Sequence, residues 1–241
     1  MRIPVLAGVV ERRVLLNYAV DPEVVARLLP PPLEPVLAGG SAVAGVCLIR
    51  LGRLRPAGLP GAVGIRTENA AHRIAVRHGD RTGVFIPRRH SASRPTVWLG
   101  GRLFPGVHGH ARFTVREDGD DLRVAFACAT GSVDVALTVT DDWPGSALFG
   151  GLAEASEFFR AGSAGWSATR DRHRLDGLEL RTEDWSVRAA VVRRAESTFF
   201  ADPALFPPGS ARLDGALVMR DLPVSWHSLP SLAVDRPAQL V

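Results

Sequence analysis

The side chains in this sequence best suited to act on a small molecule are arginines and histidines. Arg88 and Arg89 end the segment GVFIPRR (83–89), and His90 follows them directly. Arg73 sits in AHRIAVR (71–77) beside apolar Ile74 and Val76, an odd setting for a solvent face. A guanidinium is planar and offers a carboxylate two parallel hydrogen bonds, so these residues are candidate anchors for an acidic ligand. Side chains alternate along a strand, so at most one of Arg88 and Arg89 faces a cavity. The plain alternative for each is a solvated or ion-paired surface arginine.

Seven histidines are the available acids and bases near neutral pH. His108 and His110 alternate and share a face, so His90, His108 and His110 are the candidates for acid–base work or for polar positions in a pocket. A His-x-His pair with a carboxylate can hold zinc or iron. Here no third ligand lies at a recognisable spacing and neither HExxH nor CxxC occurs, so no metal and no cofactor are expected.

What the chain lacks narrows the chemistry further. All 29 residues counted as Lys or Arg are arginine, whereas ordinary composition would give a chain of this length roughly 14 lysines. Lysine is the side chain that loses its proton, attacks a carbonyl and forms a Schiff base; arginine stays charged and does not. No GxSxG elbow is present, and neither cysteine has an obvious histidine partner in sequence, so covalent hydrolysis has no support.

These residues must be positioned by a largely β-structured chain. Strands are expected over 13–19, 41–51, 71–77, 83–89, 110–117, 121–129, 132–140, 176–182, 185–197 and 213–222, with short polar turns between many of them. Asp21-Pro22-Glu23 supplies a cap, a first-turn proline and an acidic first turn for a helix that the Pro30–Pro32 run stops. LAEASEFFRAG (152–162) is the clearest helix and ends at a glycine. The segment 56–64 reads as a Gly/Pro loop, and its glycines do not join a strand to a helix as a phosphate loop would. The pattern predicts an α+β fold with an antiparallel sheet rolled into a barrel and a few outer helices. With no linker or repeat in view, the expectation is one domain over 1–241.

With 46% hydrophobic and 22% charged residues, the composition is that of a globular protein with a sizeable core. The isoelectric point near 10.2 exaggerates a formal net charge of only +4, because almost nothing titrates between histidine and arginine. No dense cationic run with interleaved aromatics occurs, which argues against nucleic-acid binding. Cys47 and Cys128 lie in apolar strand-like segments and read as free thiols. No stretch is apolar and long enough for a signal peptide or a membrane span, so the expected setting is cytoplasmic.

Several segments, taken together and in order, resemble the YqjF-like branch of the acetoacetate decarboxylase superfamily, a family of unknown function. YAVDPEVVARLLPPPLE (18–34) is similar to the start of that superfamily. GVFIPRR (83–89), GGRLFPG (100–106), EASEFF (154–159), DGLEL (176–180), STFF (197–200) and ALVMR (216–220) are similar to the branch itself. The resemblance covers roughly 14–226 and implies a closed or nearly closed β-barrel with helices outside and a ligand cavity within. It also implies, for the decarboxylases, a Schiff-base lysine paired with a second lysine in a Tyr-Pro-Lys-Lys segment. The nearest counterpart here is Phe104-Pro105-Gly106-Val107, and the arginine that follows the first-strand tyrosine is replaced by Ala19. By the same resemblance, Arg102 falls where the reactive residues sit, and Glu68 enters the strand that brings a carboxylate into the barrel. Glu68 would then serve as a base or hold an arginine; the bland reading is a loop glutamate in water.

The expectation is therefore a small-molecule-binding barrel without the Schiff-base apparatus. Arg102, Arg88, Arg89 and Arg73 are the candidate anchors for a carboxylated or polyketide-like metabolite, and His90, His108, His110 and Glu68 the candidate catalytic groups. Such an enzyme would run a lyase, cyclase or isomerase step by acid–base and electrostatic means. The alternative is a noncatalytic protein that binds or senses the metabolite. The partner is a small molecule rather than nucleic acid or membrane, and a homo-oligomer is possible.

Overall fold

The computed structural model describes residues 4–99 and 105–238. Strand β1 (Leu6–Val20) leads into helix α1 (Pro22–Leu28), whose cap is Asp21: its carboxylate accepts from the Glu23 amide at 2.8 Å. Two short strands, β2 (Glu34–Pro35) and β3 (Leu37–Ala38), precede the long strands β4 (Ser41–Pro56), β5 (Ile65–His78) and β6 (Arg81–Ser91). Helix α2 (Arg94–Leu99) and strand β7 (His108–His110) follow, then the strands β8 (Arg112–Asp118), β9 (Asp121–Cys128) and β10 (Gly131–Thr140). Helix α3 (Leu152–Ala161), β11 (Ala164–Ala168), β12 (Arg174–Arg181), β13 (Arg188–Ser197) and β14 (Ala211–Ala233) complete the order.

One path of hydrogen-bonded strands closes on itself: β1–β4–β5–β6–β11–β12–β14 and back to β1. The closure is long, running from Leu6 opposite Trp226 to Val20 opposite Ala211. Strand β14 serves both this ring and an arm. On its other edge, residues 225–233 pair with β12, and 216–218 pair with β13, from which β10, β9 and β8 extend. The main hydrophobic core joins Val14, Leu16, Val46 and Leu48 of the ring to Val124, Phe126, Val135 and Leu137 of the arm, with Phe199, Phe200 and Phe206. A second cluster packs Phe149, Ala155 and Phe159, from α3 and the segment before it, on Leu15, Val43, Cys47 and Ala75.

The expected barrel with few helices is thus present, with two departures from pure antiparallel pairing. Strand β6 pairs in parallel with both β11 and β7. Sequence reading missed β11 because AGWSA is short and buried on both faces, leaving no alternation to see. It also missed α2, and it placed the ends of β4, β5 and β14 too early or too late, since charged residues continue β4 and β5 beyond their apolar runs and Pro223 and Pro230 interrupt the continuation of β14.

Candidate functional site

Cross-strand partners share a face of a sheet, so the register alone orders the residues around the cavity. One row runs Leu15–Cys47–Ala71–Arg89–His108 across β1, β4, β5, β6 and β7. A row to one side runs Arg13–Ile49–Asn69, and one to the other runs Asn17–Gly45–Arg73. Adjacent strands lie about 4.8 Å apart, so Arg13, Arg73 and Arg89 surround a floor made of the small side chains Cys47 and Ala71.

All seven ring strands contribute to this cavity, which has a volume of about 170 Å³. Its polar part holds Arg13, Arg73, Arg89, His108, Asn69 and Ser163; its apolar part includes Leu6, Leu51, Leu54, Leu178, Leu180 and Trp226.

Glycine makes room for two of these contacts. Arg73 reaches across Gly45 to donate from Nη2 to Asn17 Oδ1, and a Cβ at Gly45 would stand 2.1 Å from the Leu16 carbonyl oxygen and 3.4 Å from that Nη2. Gly106 has φ +80, and a Cβ there would stand 2.6 Å from Ser167 Cβ. With no side chain, Gly106 lets its turn close on Ser167, whose Oγ accepts from Arg89 Nε at 2.9 Å. The Gly106 carbonyl lies 3.2 Å from His108 Nδ1. A carbonyl only accepts, so Nδ1 carries the proton and Nε2 is left as an acceptor.

The cavity's arginines lack the usual partners. Arg13 donates to sulfur, Nε to Cys47 Sγ at 3.3 Å and Nη1 to Met219 Sδ at 3.8 Å. Arg73 is 3% exposed, lies 4.7 Å from the centre of the Phe159 ring, and has no hydrogen-bond partner at Nε or Nη1 among the described residues. Burial pushes the pKa of both Arg73 and Arg89 down to about 10, which still leaves them charged at neutral pH. Burial, reinforced by the charge of Arg89, pushes His108 down to about 3, so its imidazole is neutral.

The structure brings together only some of the residues expected from sequence. Arg73, Arg89, His90 and His108 line the cavity. The ring of His90 sits 5.1 Å from Phe126, and its Nε2 is 3.3 Å from Cys128 Sγ. Burial and the Arg88 charge push His90 down to about 4. Arg88 lies on the opposite face, 5.2 Å over the Phe199 ring, with Nη1 donating to the Thr130 carbonyl at 3.4 Å. His110 is exposed at the end of β7. Glu68 also lies outside the cavity, in the row Arg12–Arg50–Glu68 on the other face. There Glu68 accepts from Arg12 and Arg50, each at 2.6 Å, and Glu117 of β8 closes the square by accepting from both. Arg102 falls outside the described residues.

Sequence reading missed Arg13, Cys47 and Ser167. The signal for Arg13 was available, since Arg12-Arg13 opens an apolar strand just as Arg88-Arg89 closes one. Among the described residues no three His, Cys, Asp or Glu side chains are grouped to hold a metal, and no helix is long and apolar enough to cross a membrane.

A family model, DUF2071, described as an uncharacterized conserved protein, matches residues 10–214. No curated protein sequence matches. Among solved structures, acetoacetate decarboxylase from Legionella pneumophila subsp. pneumophila str. Philadelphia 1 superposes with a TM-score of 0.63 at 13% identity, covering 98% of this chain and 88% of that one. An acetoacetate decarboxylase-like enzyme from Sphingomonas wittichii RW1 gives 0.64 at 16% identity, covering 97% and 95%. The enduracididine biosynthesis enzyme MppR, in complex with pyruvate, gives 0.56 at 15% identity, covering 97% and 91%. The fold is therefore acetoacetate decarboxylase-like.

Proposed function

This chain belongs to the DUF2071 family, and on that premise we propose that it is an enzyme acting on a small carboxylated metabolite without a Schiff base. The observation that carries this reading is the cavity itself: three arginines without a carboxylate partner among the described residues, beside a neutral histidine, in a chain with no lysine. Arg89, Arg13 and Arg73 anchor the acid group and stabilise negative charge that develops on the neighbouring carbonyl oxygen. His108 Nε2 faces the reaction as a proton acceptor. A bound carboxylate offsets the Arg89 charge that helps depress His108, so binding itself makes the imidazole a better base. The step so promoted is an enolisation, the shared beginning of lyase, cyclase and isomerase chemistry. Arg102, three residues before the cavity-lining Pro105, is a proposed further anchor.

Pyruvate in D2O tests this directly. Loss of its methyl proton signal by NMR, abolished in Arg89→Ala and accompanied by no borohydride-trapped adduct, is the expected result. Exchange that proceeds only with a trappable adduct inside the barrel would overturn it. Tight binding without exchange would favour the second reading, a noncatalytic binder. That reading draws support from the pKa values of about 3 and about 4 at His108 and His90, which make both weak bases in the empty cavity.

A further inference from the structure

The polar end of the cavity holds more positive charge than one carboxylate offsets. A buried ion without a partner is costly, and this protein neutralises one elsewhere: Arg12, 1% exposed, meets both Glu68 and Glu117. The buried Arg73 and the half-buried Arg13 and Arg89 receive nothing comparable. Among the described residues their polar partners are Cys47 and Met219 for Arg13, Asn17 for Arg73 and Ser167 for Arg89, none of them a carboxylate. Nε and Nη1 of Arg73 have no acceptor among the described residues. The histidines do not compound the charge, because burial keeps them neutral.

The three guanidiniums also approach from separate strands, Arg13 from β1, Arg73 from β5 and Arg89 from β6, around the Cys47–Ala71 floor. Along β4 the lining then changes from Gly45 beside Arg73, through Cys47 and Ile49, to apolar Leu51 and Leu54. Trp226 joins that end through Leu6, which pairs with both Trp226 and Pro56, and Leu180 pairs with Trp226 in turn.

We propose that the natural ligand is a short dicarboxylate bearing one apolar substituent. Its two acid groups are shared among Arg13, Arg73 and Arg89, and the substituent lies against Leu51, Leu54, Leu180 and Trp226. This deepens the reading of the cavity as a carboxylate site and rests on it.

Titration calorimetry on the full chain with four probes at one ionic strength is the test. 2-Benzylsuccinate carries two carboxylates and an apolar arm, 4-phenylbutyrate has one carboxylate and a similar arm, succinate lacks the arm, and inorganic phosphate is a dianion without carboxylates. Benzylsuccinate should bind about tenfold or more tightly than either phenylbutyrate or succinate, the scale of one charged hydrogen-bonded contact or one buried apolar group. In Arg13→Met, whose side chain packs beside Cys47 and Met219 much as the arginine stem does, the preference for benzylsuccinate over phenylbutyrate should fall towards one. Phenylbutyrate binding as tightly as benzylsuccinate in the unaltered protein would overturn the dicarboxylate and leave the carboxylate site standing. Phosphate binding more tightly than succinate would assign the dianion to a phosphate instead. If no carboxylate probe binds, both this proposal and the reading beneath it fall.

Discussion

At the scale of single residues, the cavity depends on where guanidiniums find acceptors. Arg89 is fixed by Ser167 at Nε, which leaves its other nitrogens for a ligand. Arg89→Ala should weaken carboxylate binding by about 2 kcal/mol or more, roughly a thirtyfold rise in Kd. Arg89→Lys should recover little of this, because an ammonium cannot hold Ser167 and a carboxylate in one plane. Titration calorimetry reads both. Histidine sets the pH response: burial first, then nearby positive charge, holds His72 at about 3, with His108 and His90 also depressed. An unfolded histidine titrates near 6.5, so between that value and about 4 the unfolded chain takes up more protons than the folded one. Stability is then full above pH 6.5 and falls as the pH drops. His72, wedged among Phe126, Phe199 and Phe200 with no partner for either ring nitrogen among the described residues, carries part of the loss. His72→Phe should raise stability at pH 5 by about 2 kcal/mol relative to its effect at pH 8, measured by urea denaturation. Alternation gave access to one member of the pair Arg88 and Arg89 from sequence. Which member faces the cavity depends on the register of β6 against β5 and β7, and no local pattern encodes that.

At the scale of elements, opposite faces of the same strands do different work. Around the arginines, odd-numbered residues of β1, β4 and β5 from Arg13, Cys47 and Ala71 outward line the cavity, and the even-numbered Arg12, Arg50 and Glu68 build the ion-pair square that Glu117 clamps from β8. Glu68→Gln leaves Arg12 buried with one carboxylate fewer, so unfolding free energy should drop by about 3 kcal/mol while benzylsuccinate affinity stays unchanged. A loss of ligand affinity with stability intact would instead return Glu68 to the site. The strands were legible where apolar and polar residues alternate, and α1 and α3 where caps and glycine stops mark their ends. The five-residue β11 was not, although it supplies Ser167, because burial on both faces erases the periodic signal. The parallel pairing of β6 with β11 and β7 was equally hidden, since parallel and antiparallel partners ask the same of a short apolar strand.

At the scale of the whole molecule, the ring ties the first strand to the last, and the arm packs its core on the outside of the same strands. A chain built in this way should unfold as one unit. Calorimetry should give a single transition whose calorimetric and van't Hoff enthalpies agree; two resolved transitions would mean that the segment around Trp143-Pro144-Gly145 separates independent units. The ring's closure, β1 against β14, also has a consequence in time. The partners Leu6 and Trp226, or Val14 and Val218, lie about two hundred positions apart in the chain, so bringing them together carries a large loop-closure entropy and belongs among the late events of folding. Until then Arg13 and Trp226 stand on separate pieces of chain, and Arg73 and Arg89 face an open sheet in water, where their charge is cheap. The pocket's electrostatic tension would therefore arise only at the last step of assembly, and the acidic ligand proposed above, in relieving it, would act as the latch of the ring.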